Sequence, residues 1–248
     1  MRTTYADAVP GTVTQPRRVL CIAAHPDDLD FGTAGTTAGL VKAGVEVTYL
    51  LCTRGEQGGF DDTAREEMPA LREREQRAAA TAVGVTDVRF LEGFRDGWLE
   101  PSFALIEHLV RVIRQVRPDR IVTSSPERNW EQIGASHPDH LAVGEATIRA
   151  VYPAARNPFA YPNLLADEGL EAWTVPEVWF LADATPNTYI DITETFEMKL
   201  AALREHVSQV SHHPDLEKML RAWGRGTAER GALPAGRLAE AFRVVKTA

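Results

Sequence analysis

The sequence predicts an α/β protein whose mostly parallel sheet is covered by helices on both faces. Short apolar runs rich in β-formers alternate with helical segments, the pattern of a covered parallel sheet. The first two runs are joined by a helical segment within about 35 residues, the length of a βαβ unit. Clusters of ligand-type side chains stand where a strand ends and a helix begins, the edge at which open α/β sheets bind ligands.

The first strand is Arg18 to Ala24 (RVLCIAA), which stops at His25-Pro26. A helix is expected from Gly32 to Gly44, with Gly44 as its stop, and a second strand from Val45 to Cys52. After a Gly- and charge-rich loop, Arg54 to Asp62, a helix runs from Met68 to Val83 with Pro69 tolerated near its start. Val88 to Leu91 is a short strand. Ser102 to Val116 is an amphipathic helix, its apolar side chains Phe103, Ile106, Leu109, Val110 and Ile113 at helical spacing. Arg120 to Thr123 is a strand, and Pro138 to Ala150 a helix.

Past Tyr152 three prolines, Pro153, Pro158 and Pro162, mark an irregular stretch. Two strands, Val178–Ala182 and Tyr189–Ile192, a helix from Glu194 to His206, a helix from Leu216 to Trp223 and a strand from Phe242 to Val245 follow. No polar linker divides the chain, so residues 1–248 are expected to form one domain, with residues 1–16 a polar tail.

The 27 basic and 35 acidic side chains give a net charge of −8. That balance argues against nucleic acid and against an anionic membrane surface as partners. No apolar stretch approaches the roughly 20 residues of a membrane span, and residues 1–16 lack the apolar core of a secretory signal. Cys21 and Cys52 lie in strands and read as inert packing thiols. The expected compartment is the cytoplasm.

Two motifs carry the chemistry, Ala24-His25-Pro26-Asp27-Asp28 and His137-Pro138-Asp139-His140. Imidazole nitrogen and carboxylate oxygen are the usual non-thiolate zinc ligands. His25 and Asp28 are three residues apart, so one turn brings them together; His140 closes a three-ligand set. Such a set leaves a position for water, the mark of a catalytic metal site, and it also suits iron or cobalt. Asp27 is then free to act as general base, and His137 to support the oxyanion of amide hydrolysis. Asp139 would orient His137, as carboxylates do for histidine. A third His-Pro-Asp, His213 to Asp215, reads as a helix cap.

On these residues the chain resembles the PIG-L/LmbE-like family of zinc-dependent N-deacetylases, whose hallmarks are a first-strand AHPDD and a later HPDH. Further family-like pieces are Thr53-Arg54-Gly55-Glu56, Arg72 with Glu75, Arg95-Asp96-Gly97, Lys199, Ala202-Leu203 and His206-Val207-Ser208-Gln209. The resemblance implies a Rossmann-like, three-layer α/β/α fold, one Zn2+ per chain, and deacetylation of an N-acetylglucosaminyl-type small molecule. It implies substrate contacts at Arg72, Asp96 and Glu56, and an approach to the site by His206. Many relatives have glutamate after the second aspartate; here Leu29 and Asp30 follow, which makes Asp30 the candidate for that supporting role.

The same catalytic residues would serve an amidase of mycothiol-type S-conjugates. A nucleotide-binding oxidoreductase is the distant alternative, since Gly32, Gly35 and Gly39 follow the first strand, though as GxxGxxxG rather than GxGxxG. The aromatics Phe159, Tyr161 and Trp173 offer cover for the site or a contact in a homo-oligomer.

Overall fold

The computed structural model describes residues 15–60 and 63–248. All but Gln15 and Pro16 of the expected tail, and the last two residues of the Arg54–Asp62 loop, therefore lie outside the described residues. Among the described residues seven strands form one sheet: β1 (Arg18–Ala23), β2 (Glu46–Leu51), β3 (Asp87–Phe90), β4 (Arg120–Ser124), β5 (Glu177–Leu181), β6 (Thr188–Asp191) and β7 (Ala239–Lys246). Their spatial order is β3-β2-β1-β4-β5-β7-β6. The first five are parallel, and β7 runs antiparallel to both β5 and β6. Chain order departs from β1 in both directions, so the β1–β4 gap is the topological switch point at which such sheets bind ligands.

The helices are α1 (Asp28–Lys42), α2 (Met68–Ala82), α3 (Phe103–Val116), α4 (Pro138–Arg149), α5 (Pro162–Ala166), α6 (Phe196–Glu205), α7 (Val207–Val210) and α8 (Leu216–Arg230). Alternation along β1 decides the layers. Val19, Cys21 and Ala23 join a core with α1, α2 and α6, through Leu29, Ala38, Ala80 and Leu203. Leu20 and Ile22 face the other way, onto Leu105 and Leu109 of α3 and Val143 of α4. Cys21 and Cys52 are buried free thiols, and burial pushes the proton affinity of both up.

Three elements differ from expectation. Helix α1 begins at Asp28 rather than Gly32, because the Asp27 carbonyl already accepts the amides of Asp30 and Phe31, each at 2.9 Å. The glycines 32, 35 and 39 are therefore inside a helix, which removes the dinucleotide-loop reading. Gly35 serves packing instead: a Cβ there would lie 2.8 Å from Cβ of Ile192. Helix α8 runs on to Arg230, past Gly224 and Gly226. Gly224 is buried against Leu238, and that close approach offsets glycine's helix cost of about 1 kcal/mol.

The irregular stretch holds α5 and a kinked segment, Ala150–Ala155, in which Tyr152 is extended rather than helical. The buried guanidinium of Arg114 ties it down, donating to the carbonyls of Ala154, Ala155, Asn157 and Ala160. Tyr161 and Trp173 pack on the α3-side core rather than over the site, whereas Phe159 is 88% exposed. Among the described residues no helix is long and apolar enough to cross a membrane.

Candidate active site

The carboxyl ends of four parallel strands converge at the switch point. The end of β1 carries His25, Asp27 and Asp28; β4 leads to His137, Asp139 and His140 at the start of α4; the loops after β2 and β3 bring Gln57 and Asp96. His25, His137 and His140 form a near-equilateral triangle of imidazoles, with ring centroids 5.0, 5.3 and 5.3 Å apart. Each offers a nitrogen within 4.8 Å of the other two.

Protonation tells the three rings apart. His25 Nε2 lies 3.0 Å from Asp96 Oδ1 and 3.1 Å from Asp139 Oδ2, so its proton belongs on Nε2 and its Nδ1 lone pair is left for a cation, the arrangement usual for metal-bound histidine. Burial lowers the proton affinity of this ring, but the surrounding carboxylates outweigh it and raise it well above the ordinary value. His140 Nε2 is 2.9 Å from Asp28 Oδ1, and His25 Nδ1 is 3.6 Å from Asp28 Oδ2. The two separations are to different oxygens of Asp28, so its carboxylate faces both rings, and imidazole nitrogen with carboxylate oxygen is a donor set that zinc takes. The donor set of His25, Asp28 and His140 therefore fits a zinc ion. Burial raises the Asp28 proton affinity, yet the His140 and His25 rings hold it well below the carboxylate range.

His137 behaves differently. It is exposed at the N-cap of α4, and its Nδ1 accepts the Asp139 amide at 3.2 Å. With that lone pair used, the neutral ring carries its proton on Nε2 and offers a donor there. Burial and the neighbouring His25 and His140 lower its proton affinity, which keeps the ring neutral. The orienting role expected of the Asp139 carboxylate is overturned in detail. Its Oδ2 faces His25 and accepts the Gly97 amide at 2.7 Å; only its backbone reaches His137.

Asp27 sits in the left-handed region at φ 85°, a conformation that costs a non-glycine residue about 1–3 kcal/mol. Two groups on α2 hold it there. Gln76 Oε1 accepts the Asp27 amide at 2.9 Å, and Arg72 Nη2 donates to the Pro26 carbonyl at 2.6 Å and to Asp27 Oδ2 at 3.1 Å. Burial pushes the Asp27 carboxyl up to about 6, against the pull of Arg72. Arg72 Nη1 also donates to the Gly55 carbonyl, and a Cβ at Gly55 would collide with the guanidinium at 2.2 Å.

The residues expected to meet substrate divide. Arg72 and Asp96 line a cavity of about 210 Å3 with His25, Asp27, Gln57 and His137. Glu56 turns away from it; its Oε1 accepts the Asp96 amide at 3.0 Å and so holds the Asp96 loop. His206 is overturned as a substrate contact: it is 0% exposed, with Nε2 2.8 Å from Asp30 Oδ2. The same oxygen accepts Gln76 Nε2 at 2.8 Å. Asp30 thus joins His206 through Gln76 to the Asp27 backbone. Gln57 and Gln76 escaped the sequence reading because a neutral amide carries no motif. Asp215 is at the N-cap of α8 but makes no side-chain cap bond, and the third His-Pro-Asp takes no part in the cluster.

A switch-point site built of imidazoles and carboxylates on a layered α/β sheet defines a class of metal-binding hydrolase scaffold. The model of the family GlcNAc-PI de-N-acetylase (PIG-L) matches residues 20–151, and the chain belongs to that family. It is 34% identical over 194 residues to diacetylchitobiose deacetylase of Thermococcus kodakarensis, covering 78% of this chain and 70% of that one. It is 33% identical over 257 residues to 1D-myo-inositol 2-acetamido-2-deoxy-alpha-D-glucopyranoside deacetylase of Kineococcus radiotolerans, covering 79% and 70%. The structure of N,N'-diacetylchitobiose deacetylase from Pyrococcus horikoshii superposes with a TM-score of 0.83 at 30% identity, over 98% of this chain and 86% of that one.

Proposed function

We propose that the chain is a zinc-dependent N-deacetylase that hydrolyses the acetamide of an N-acetylglucosaminyl-type small molecule. The observation that carries this reading is the pair of groups beside the ligand set that have no place in it, Asp27 and His137. Zinc held by His25, Asp28 and His140 would supply a Lewis acid that polarises the amide carbonyl and acidifies water. Asp27, with its proton affinity pushed up to about 6, is poised to take the proton of the attacking water near neutral pH and to return it to the departing nitrogen. His137 donates a hydrogen bond from its Nε2–H to the carbonyl oxygen as charge builds there and keeps the proton. Water adds across the C–N bond, acetate leaves, and the amine keeps the proton. Arg72, Asp96 and Gln57 face the sugar from the polar cavity they share with His25 and Asp27.

Two free, buried thiols support a reducing compartment, the cytoplasm. The test is acetate release from a panel of N-acetylglucosamine conjugates by the zinc-loaded chain. No release from any of them, with metal bound, refutes the reading.

A further inference from the structure

A second cavity, of about 320 Å3, shares the ligand residues Asp28 and His140. None of the residues lining the polar cavity recurs in it, so the two divide the cluster between them. The larger one has a mixed lining, with polar Ser124, Asn129, Gln132 and Thr227 beside its apolar residues. Phe31, Leu181, Ile192, Leu220 and Trp223 supply apolar wall to the larger one. Its buried charges are already spent on each other: Lys199 Nζ lies 2.6 Å from Glu240 Oε1 and donates to the Phe31 carbonyl, while Glu240 accepts the amides of Gly35 and Thr36. Asp183 accepts Ser125 Oγ. Exposed Trp223 and Arg230 mark where the cavity meets solvent.

An amide has two halves, and the polar cavity suits the amino sugar. Resting on the deacetylase reading above, we propose that the larger cavity receives the acyl half, and that the chain removes medium-length straight acyl groups from an amino-sugar nitrogen better than it removes acetyl. An acetyl methyl would leave most of this space to water. A chain of about six to eight carbons takes up roughly 180–240 Å3, well over half of it, when each carbon takes the ~30 Å3 of one liquid water. The reaction is the same hydrolysis: water adds across the C–N bond, a fatty carboxylate leaves and the amine takes the proton. Gly32, one turn after Asp28, lines this cavity beside Leu181. A Cβ there would lie 2.9 Å from Leu181 Cδ1, so a larger side chain has to displace the Leu181 side chain, which also lines the cavity.

The experiment measures kcat/KM of the zinc-loaded chain on glucosamine N-acylated with acetyl, butanoyl, hexanoyl and octanoyl groups. Each added methylene is expected to raise kcat/KM about threefold to fourfold until the cavity is full. Gly32→Leu is expected to bring the hexanoyl-to-acetyl ratio below one, and Leu181→Ala to move the optimum toward octanoyl. Calorimetry gives a readout apart from turnover: hexanoate binds the zinc-loaded chain more tightly than acetate, and Gly32→Leu removes the difference. A flat or falling series in a chain that does release acetate overturns the acyl cavity and leaves the deacetylase reading standing. No release from any member, with hexanoate binding no better than acetate, overturns both.

Discussion

Gln76 is the residue whose loss tests how the candidate base is held. It is fully buried in α2, its Oε1 2.9 Å from the Asp27 amide and its Nε2 2.8 Å from Asp30 Oδ2. Leucine fills nearly the same space with no polar atom. Gln76→Leu would strand the Asp27 amide and take one of two donors from Asp30, whose Oδ1 already has no partner. Each unpaired buried polar group costs about 1–3 kcal/mol, and more when charged, so a loss of about 3–5 kcal/mol is expected. Without that anchor the left-handed Asp27 relaxes, and a displaced base costs about a hundredfold in kcat. Urea unfolding gives the stability, elemental analysis the zinc content, and acetate release the rate. Zinc should stay while stability and rate fall together. A Gln76→Leu protein with parental stability and turnover refutes it.

Other substitutions probe separate parts of the same account. Asp27→Ala should keep its metal and lose at least about a hundredfold in kcat; turnover like the parent's would remove Asp27 as the base. His140→Ala should lose most of its zinc, and full occupancy by elemental analysis would contradict the ligand set. Gly35→Ala drives a Cβ to 2.8 Å from Ile192 Cβ, an overpacking expected to cost about 1–3 kcal/mol; an unmoved urea midpoint would count against it. Burial lowers the proton affinity of His206, but the bond and charge of Asp30 outweigh it and the net shift is upward from 6.5. The stabilising contribution of His206 is therefore complete below about pH 6.5 and is lost as pH rises through the raised value. The stability gap between the parent and His206→Gln should narrow with rising pH; a gap that widens instead reverses the sign.

The strands and the metal cluster were legible in the sequence because both depend on local pattern. The apolar run that becomes β1 has a short period and a clear stop at His25-Pro26, and AHPDD and HPDH place ligand-type atoms at fixed spacing. What escaped depends on partners far away in the chain. Helix α8 continues through two glycines because Leu238 packs against one of them. His206 looked like an approach to substrate because it lies in a family-like motif, but Asp30, 176 residues away, draws it into the core. The carboxylate of Asp139 was assigned to the neighbouring ring by proximity in sequence, whereas the fold presents His25 to it from the other motif. Sequence spacing shows which groups can meet at a strand end; it does not show which of two rings a carboxylate will face.

The placement of β7 sets an order of assembly. It is the last strand in sequence, yet it lies between β5 and β6. During synthesis β6 leaves the ribosome with no neighbour to pair with, and β5 presents an open edge of the kind that invites wrong partners. Glu240 arrives with β7, and it is the group that receives the amides of Gly35 and Thr36 from α1. The helix that begins at Asp28 thus acquires its brace only when β7 has been made. A nascent chain would carry both histidine motifs long before it could hold them in register, so hydrolytic competence would switch on late, with closure of the sheet.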